Sequence, residues 1–222
     1  MPATPVYIVC SPRPQIGKTL LARLLSEFLL LKNGQVRAFD ISVREPALID
    51  YLPAITETAE IEDTYGKIQL MDQVIINDGM AKVIDLGYYA FGEFFKMSEE
   101  IGFLKEAARR NVVPIVLFCA EGDRVSTRAY DNLRRHIPMS QLIAVENDHV
   151  LREELPALFT RGRVLRIPAL PLFLKTYIDR YSFSFTGYLR QERDQSTELY
   201  QWIRRNYYAL REIETGLVMQ RS

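Results

Sequence analysis

Six stretches rich in Val, Ile and Leu recur along the chain: Val6 to Cys10, Val36 to Ile41, Lys82 to Leu86, Val112 to Cys119, Gln141 to Glu146 and Arg163 to Ile167. A strand with one wet face alternates apolar and polar residues. A near-continuous apolar run belongs where helices cover both faces of a sheet. Helical patterns fill the intervals. Lys18 to Lys32 is apolar nearly all round, through Leu20, Leu21, Leu24, Leu25, Phe28 and Leu29, and Asn33-Gly34 closes it with a left-handed turn signal. Asp63 to Asn77 carries Ile68, Met71, Val74 and Ile75 at helical spacing, closed by Asp78-Gly79. Phe94 to Arg110 reads as one helix with Phe94, Met97, Ile101, Leu104 and Ala108 inward. Asp123 is placed to cap a further helix, which Pro138 stops. The expectation is an α/β fold of three layers: a mainly parallel sheet with helices on both faces.

A chain of 222 residues suits one domain of this kind, and no internal repeat, low-complexity tract or linker divides residues 1–222. The 28 basic and 28 acidic residues cancel, so net charge gives no support to non-specific contact with DNA or an anionic membrane. Cys10 and Cys119 each end an apolar run and read as buried reduced thiols. Two histidines, His136 and His149, are too few for a His-rich metal centre. No apolar run reaches membrane-spanning length and no leader pattern stands at the N-terminus, so a cytoplasmic location is expected.

From about residue 170 the texture changes. Phe173, Tyr177, Tyr181, Phe183, Phe185, Tyr188, Tyr200, Trp202, Tyr207 and Tyr208 crowd the last quarter, and Ser196 to Leu217 reads as one long helix. Such a segment can be a partner or dimer surface, or a helix packed on the sheet edge with its tyrosine hydroxyls kept wet.

The first apolar run leads into Ser11-Pro12-Arg13-Pro14-Gln15-Ile16-Gly17-Lys18-Thr19 and then directly into the first helix. A bare Gly-Lys-Thr arises by chance in about one chain in ten of this length, but a strand before it and a helix after it make it far more specific as an incomplete phosphate-binding loop. In such a loop the N–H groups of Gln15, Ile16, Gly17, Lys18, Thr19 and Leu20 face the phosphates, the Lys18 amine reaches the outer ones, and the Thr19 hydroxyl holds Mg²⁺. Asp40 ends the second run, and Asp85 stands in Val83-Ile84-Asp85-Leu86-Gly87. Ligands of open α/β sheets bind beyond the carboxyl ends of strands, so Asp40, Asp85 and the loop should converge on one crevice. One carboxylate there can serve the metal and another can orient an attacking water.

From Val6 to about Pro171 this order of parts resembles the ParA/MinD-like (CobQ/CobB/MinD/ParA) family of P-loop ATPases. The resemblance implies a P-loop NTPase-like fold, ATP and Mg²⁺ as ligands, and a nucleotide-bridged homodimer that positions or partitions an unknown protein partner. In the family loop, Lys-Gly-Gly-x-Gly-Lys-[ST], the first lysine reaches the partner subunit's phosphates; here that position is Arg13. The resemblance casts Lys18 on the β- and γ-phosphates and Thr19 and Asp85 at the metal. Asp40 takes the place of the switch residue that positions water, with the family's second acidic residue falling on Ser42. Asn147 and the segment Arg166-Ile167-Pro168 take the places that flank the base, which makes Asn147 and Pro168 candidate nucleotide contacts.

The loop also departs from the family pattern. Pro14 removes one N–H from the phosphate cradle, and Gln15 replaces a glycine where positive φ is costly. A hydrogen bond to a charged group contributes about 1.5–3 kcal/mol, so losing one weakens binding roughly ten- to a hundredfold. Three readings therefore stand: an ATP-dependent dimerisation switch with weak hydrolysis, an ATP-dependent small-molecule synthetase on the same fold, and a non-hydrolysing interaction module. ATP and GTP are not distinguished by these residues.

Overall fold

The computed structural model describes residues 3–41, 48–151 and 154–219. Seven strands make one sheet: β1 (Thr4–Cys10), β2 (Arg37–Ile41), β3 (Thr56–Thr58), β4 (Lys82–Leu86), β5 (Val112–Cys119), β6 (Leu142–Asn147) and β7 (Val164–Ile167). Their spatial order is β3-β2-β4-β1-β5-β6-β7, and every neighbouring pair is parallel. The expected α/β architecture is therefore present, with the first strand at its centre. The strand missing from the sequence reading is β3. It is three residues long, Thr-Glu-Thr, and held only at the sheet edge by β2, so it carries no apolar run.

β1 shows why apolar runs do not alternate here. Tyr7 and Val9 face one layer of helices, while Val6, Ile8 and Cys10 face the other. The first layer holds α1 (Lys18–Asn33), α8 (Leu172–Ile178), α9 (Phe185–Gln191) and α10 (Glu198–Met219); the second holds α3 (Thr64–Val74), α4 (Phe91–Glu100), α5 (Phe103–Arg109), α6 (Arg124–His136) and α7 (Ala157–Thr160). The short α2 (Leu48–Tyr51) adds Leu48 to the first. Pro114 lies inside β5, where a proline usually forfeits a ladder bond. Val116 N–H points toward β6 and donates to the Gln141 carbonyl at 2.7 Å. Position 114 faces the same way, below the start of β6, where no strand stands to accept a bond.

Two helical expectations are corrected. The stretch 94–110 is two helices, broken at Gly102, whose φ of +65° is left-handed. The break resets the helical phase: Phe103 and Ala107 are buried, and Ile101 points outward. The helix begun by Asp63 ends at Val74, short of Asp78-Gly79, because Lys82 turns back to bond Asp78 and the Ile76 carbonyl. Asp123 caps α6 as expected, and Asp63 caps α3. Both cysteines are free and buried. The C-terminal aromatics divide: Phe183, Phe185, Trp202 and Tyr207 join the core, while Phe173, Tyr181 and Tyr208 are exposed. α10 is thus a layer helix, tied by Lys32 to Glu214 at 2.6 Å and by Arg163 to the Gly216 carbonyl at 3.0 Å. No helix among the described residues is long and apolar enough to cross a membrane.

Candidate functional site

The loop after β1 turns into α1 through two left-handed residues, Gln15 at φ +55° and Gly17 at φ +85°. Gly17 is the N-cap of α1 and leaves the first-turn N–H groups without a side-chain acceptor, as an anion-binding helix start requires. A Cβ at position 17 would collide with the Asn147 side-chain amide. That amide donates to the Ile16 carbonyl at 3.1 Å, so the end of β6 supports the loop from beneath. Lys18 is buried, donates to the Arg13 carbonyl at 2.7 Å, and lies 6.0 Å from the centre of the Tyr88 ring.

Asp40 and Asp85 are register partners on the adjacent strands β2 and β4, and both are buried. The Thr19 hydroxyl donates to Asp85 Oδ2 at 2.7 Å, while Asp85 Oδ1 is buried with no hydrogen-bond partner. Burial pushes the Asp85 carboxyl up to about 7; the Thr19 bond opposes this, the Asp40 charge adds to it, and Lys18 again opposes it. Asp40 Oδ2 accepts the Ile49 N–H at 3.0 Å. Lys18, Thr19, Asp40 and Asp85 thus meet at the carboxyl end of the sheet. Ser42 lies outside the described residues.

Arg13 points away from this group. Its Nε pairs with Asp123 Oδ2 at 2.7 Å and Glu121 Oε2 at 3.5 Å, at the start of α6. Pro168 is engaged through its carbonyl, which accepts the Trp202 indole N–H at 2.6 Å. Arg166 pairs with Asp148 at 2.9 Å.

A cavity of about 430 Å³ opens beside the loop, lined by Gln15 to Leu20 and Asn147 and then by residues the sequence reading missed: Arg23, Tyr51, His149, Lys175 and Asp179. The volume lies within the range of small-ligand sites. Arg23 is only 2% exposed, with its guanidinium 3.8 Å from the Tyr51 ring centre and bonded to the Ile178 carbonyl at 3.0 Å. The clue to it was a charge inside an all-apolar helix, since a buried arginine needs partners. His149, Lys175 and Asp179 gave no such signal. Lys175 and Asp179 reach the loop because α8 is held to α1 through the bond from Arg23 to the Ile178 carbonyl, and His149 reaches it from just beyond the end of β6.

The donor set suits a hard cation. Thr19 Oγ1 and the orphaned Asp85 Oδ1 are oxygen atoms of the kind such a cation takes, and Mg²⁺ typically takes one or two protein oxygens together with phosphate and water. No cluster of three or more His, Cys, Asp or Glu able to hold a metal alone exists among the described residues.

A parallel sheet with a Gly-Lys-Thr loop between its central strand and α1, and an aspartate on the next strand bonded to that threonine, defines the P-loop NTPase-like class of α/β fold. The chain is similar to the crystal structure of a ParA family ATPase from Chlorobium tepidum TLS, with a TM-score of 0.60 and 14% identity over 94% of this chain and 98% of that one. At that identity the likeness establishes the fold. No protein-family model matches the sequence, and no curated protein does.

Proposed function

We propose that the chain is a P-loop nucleoside triphosphatase of ParA/MinD type, a switch that binds ATP with Mg²⁺, hydrolyses it weakly, and uses nucleotide-dependent dimerisation in the cytoplasm to position a partner assembly. The bond from Thr19 to Asp85 at the head of α1 carries this reading, because it sets a hydroxyl and a half-satisfied carboxylate where a phosphate-bound cation needs ligands. Bound there, Mg²⁺ would offset the charge of the outer phosphates. The first-turn N–H groups of α1 would hold the phosphates. The Lys18 amine would exchange the Arg13 carbonyl for a phosphate oxygen, and Asp40 would orient water.

Arg13 is the residue on which dimerisation turns. Its ion pairs with Asp123 and Glu121 join partly exposed groups, and such pairs contribute no more than about 1 kcal/mol each. A phosphate offered by a second subunit outweighs them, since charge-assisted bonds to phosphate are the stronger kind. The same pairs favour a second reading, a non-hydrolysing interaction module whose loop arginine serves only its own chain.

Calorimetric titration with Mg·ATP separates the two. The wild type should bind, while Lys18→Ala and omission of Mg²⁺ should each weaken binding at least about tenfold. Asp40→Ala, impaired in hydrolysis, should shift from monomer to dimer in light scattering when ATP is added. Absence of Mg·ATP binding at millimolar nucleotide would sink the switch and leave the module.

A further inference from the structure

A further hollow lies on the other face of the sheet. It encloses about 500 Å³ between α4, α5 and α6. Its floor is formed by Ile8, Pro114 and Val116, residues of the two central strands β1 and β5, and Phe91, Phe94 and Phe95 form one wall. A surface groove between helices does not reach the sheet; this one does. The floor is open because Pro114 sits where β6 has not yet begun, and the wall stands off because Gly102 turns the chain from α4 into α5. Gly92, at the start of α4, also lines the hollow, and a Cβ there would meet no atom within 4 Å.

The rim has a sign. Lys96 and Lys105 stand at it, and the one carboxylate of the lining, Glu99, faces His136 at 4.0 Å. Lys96 pairs loosely with the exposed Glu100 at 3.9 Å and acts on the Glu93 charge from a distance, while Lys105 makes no ion pair among the described residues. A deep apolar chamber with cations at its mouth complements a molecule with an apolar body and one anionic end. We propose that this cavity binds a small single-chain amphiphile bearing a carboxylate. The apolar chain lies against the phenylalanines and the floor, and the carboxylate sits between Lys96 and Lys105. The inference is independent of the nucleotide site.

Decanoate and 1-decanol serve as probes, titrated calorimetrically into the nucleotide-free full chain. The wild type should bind one decanoate saturably with Kd below about 1 mM, at least about tenfold tighter than 1-decanol. Replacing both Lys96 and Lys105 by Ala should erase the preference and leave 1-decanol binding intact. Gly92→Leu and, from the α6 side, Ala129→Leu should each weaken both probes about tenfold or more. Circular dichroism should show both variants folded, and one folded variant suffices. The proposal is overturned if decanoate does not saturate, if the two probes bind alike, or if both filling variants bind decanoate as the wild type does. It is equally overturned if the face retains an acidic apolar peptide while decanoate does not bind. Because no arm uses nucleotide, failure here leaves the Mg·ATP result untouched, and the reverse holds.

Discussion

Gln15 holds φ at +55° between Pro14 and the left-handed Gly17. A left-handed L-residue costs about 1–2 kcal/mol, while glycine at the same place costs about 0.5–1 kcal/mol in chain entropy. The strain outweighs the entropy, so Gln15→Gly should stabilise the protein by about 0.5–1 kcal/mol and raise Tm by about 2 °C in calorimetry. An unchanged or lower Tm would mean that the glutamine side chain contributes something the backbone argument omits. Asp85 makes a prediction of the opposite kind. Its folded pKa of about 7 lies above the ordinary 3.8, so the folded state holds the proton more tightly than the unfolded chain does. That stabilisation is whole below about pH 4 and is lost as pH rises through about 7, with roughly 4 kcal/mol as its ceiling. Metal-free wild type should therefore lose stability against Asp85→Asn between pH 5 and 8, measured by urea unfolding in chelator. Parallel pH profiles for the two proteins would show that the carboxyl is not perturbed. Both residues were visible as candidates in the sequence, because a strand-end carboxylate and a glutamine in a glycine position are local facts. What Asp85 lacks, a second partner, depends on burial that no local pattern reports.

Among the elements, α1 links the two ends of the chain. Arg23 bonds the Ile178 and Phe183 carbonyls, and Glu27 accepts the Ser184 hydroxyl at 2.6 Å and the Thr186 N–H at 2.9 Å. Four residues apart on the buried face, the two hold α8 and α9 against the sheet. Arg23→Ala should cost about 2–4 kcal/mol, since two buried carbonyls lose their donor, and Arg23→Met should cost less because the stem still fills the space. Denaturant midpoints for the pair measure the difference; equal losses would assign the whole effect to hydrogen bonding. The apolar pattern of α1 made the helix and its deep packing legible. Its two charges gave the need for partners but not their identity, for these lie more than 150 positions downstream. The break at Gly102 escaped for a related reason: a lone glycine inside a helical pattern is tolerated as often as it breaks one.

On the scale of the whole molecule, the sheet was legible because six of its strands are rich in apolar residues and say so in their composition; only β3, short and polar at the edge, was silent. The loop, Asp40 and Asp85 converge because strand ends converge, which follows from the fold class alone. The part of the cavity lined by Lys175 and Asp179 depends on where α8 lies, and no motif records that. The position of β1 has a further consequence. It pairs with β4 and β5, and Thr4 meets Val112 roughly a hundred residues later. At ribosomal rates of about 5–20 residues per second, that interval is about 5–20 s, during which the β5-side edge of an apolar strand stays bare, and its other edge is bare until β4 has emerged. The segment that ends in the phosphate loop is thus synthesised before either strand that covers its edges, and it cannot close its pairing until β5 has emerged.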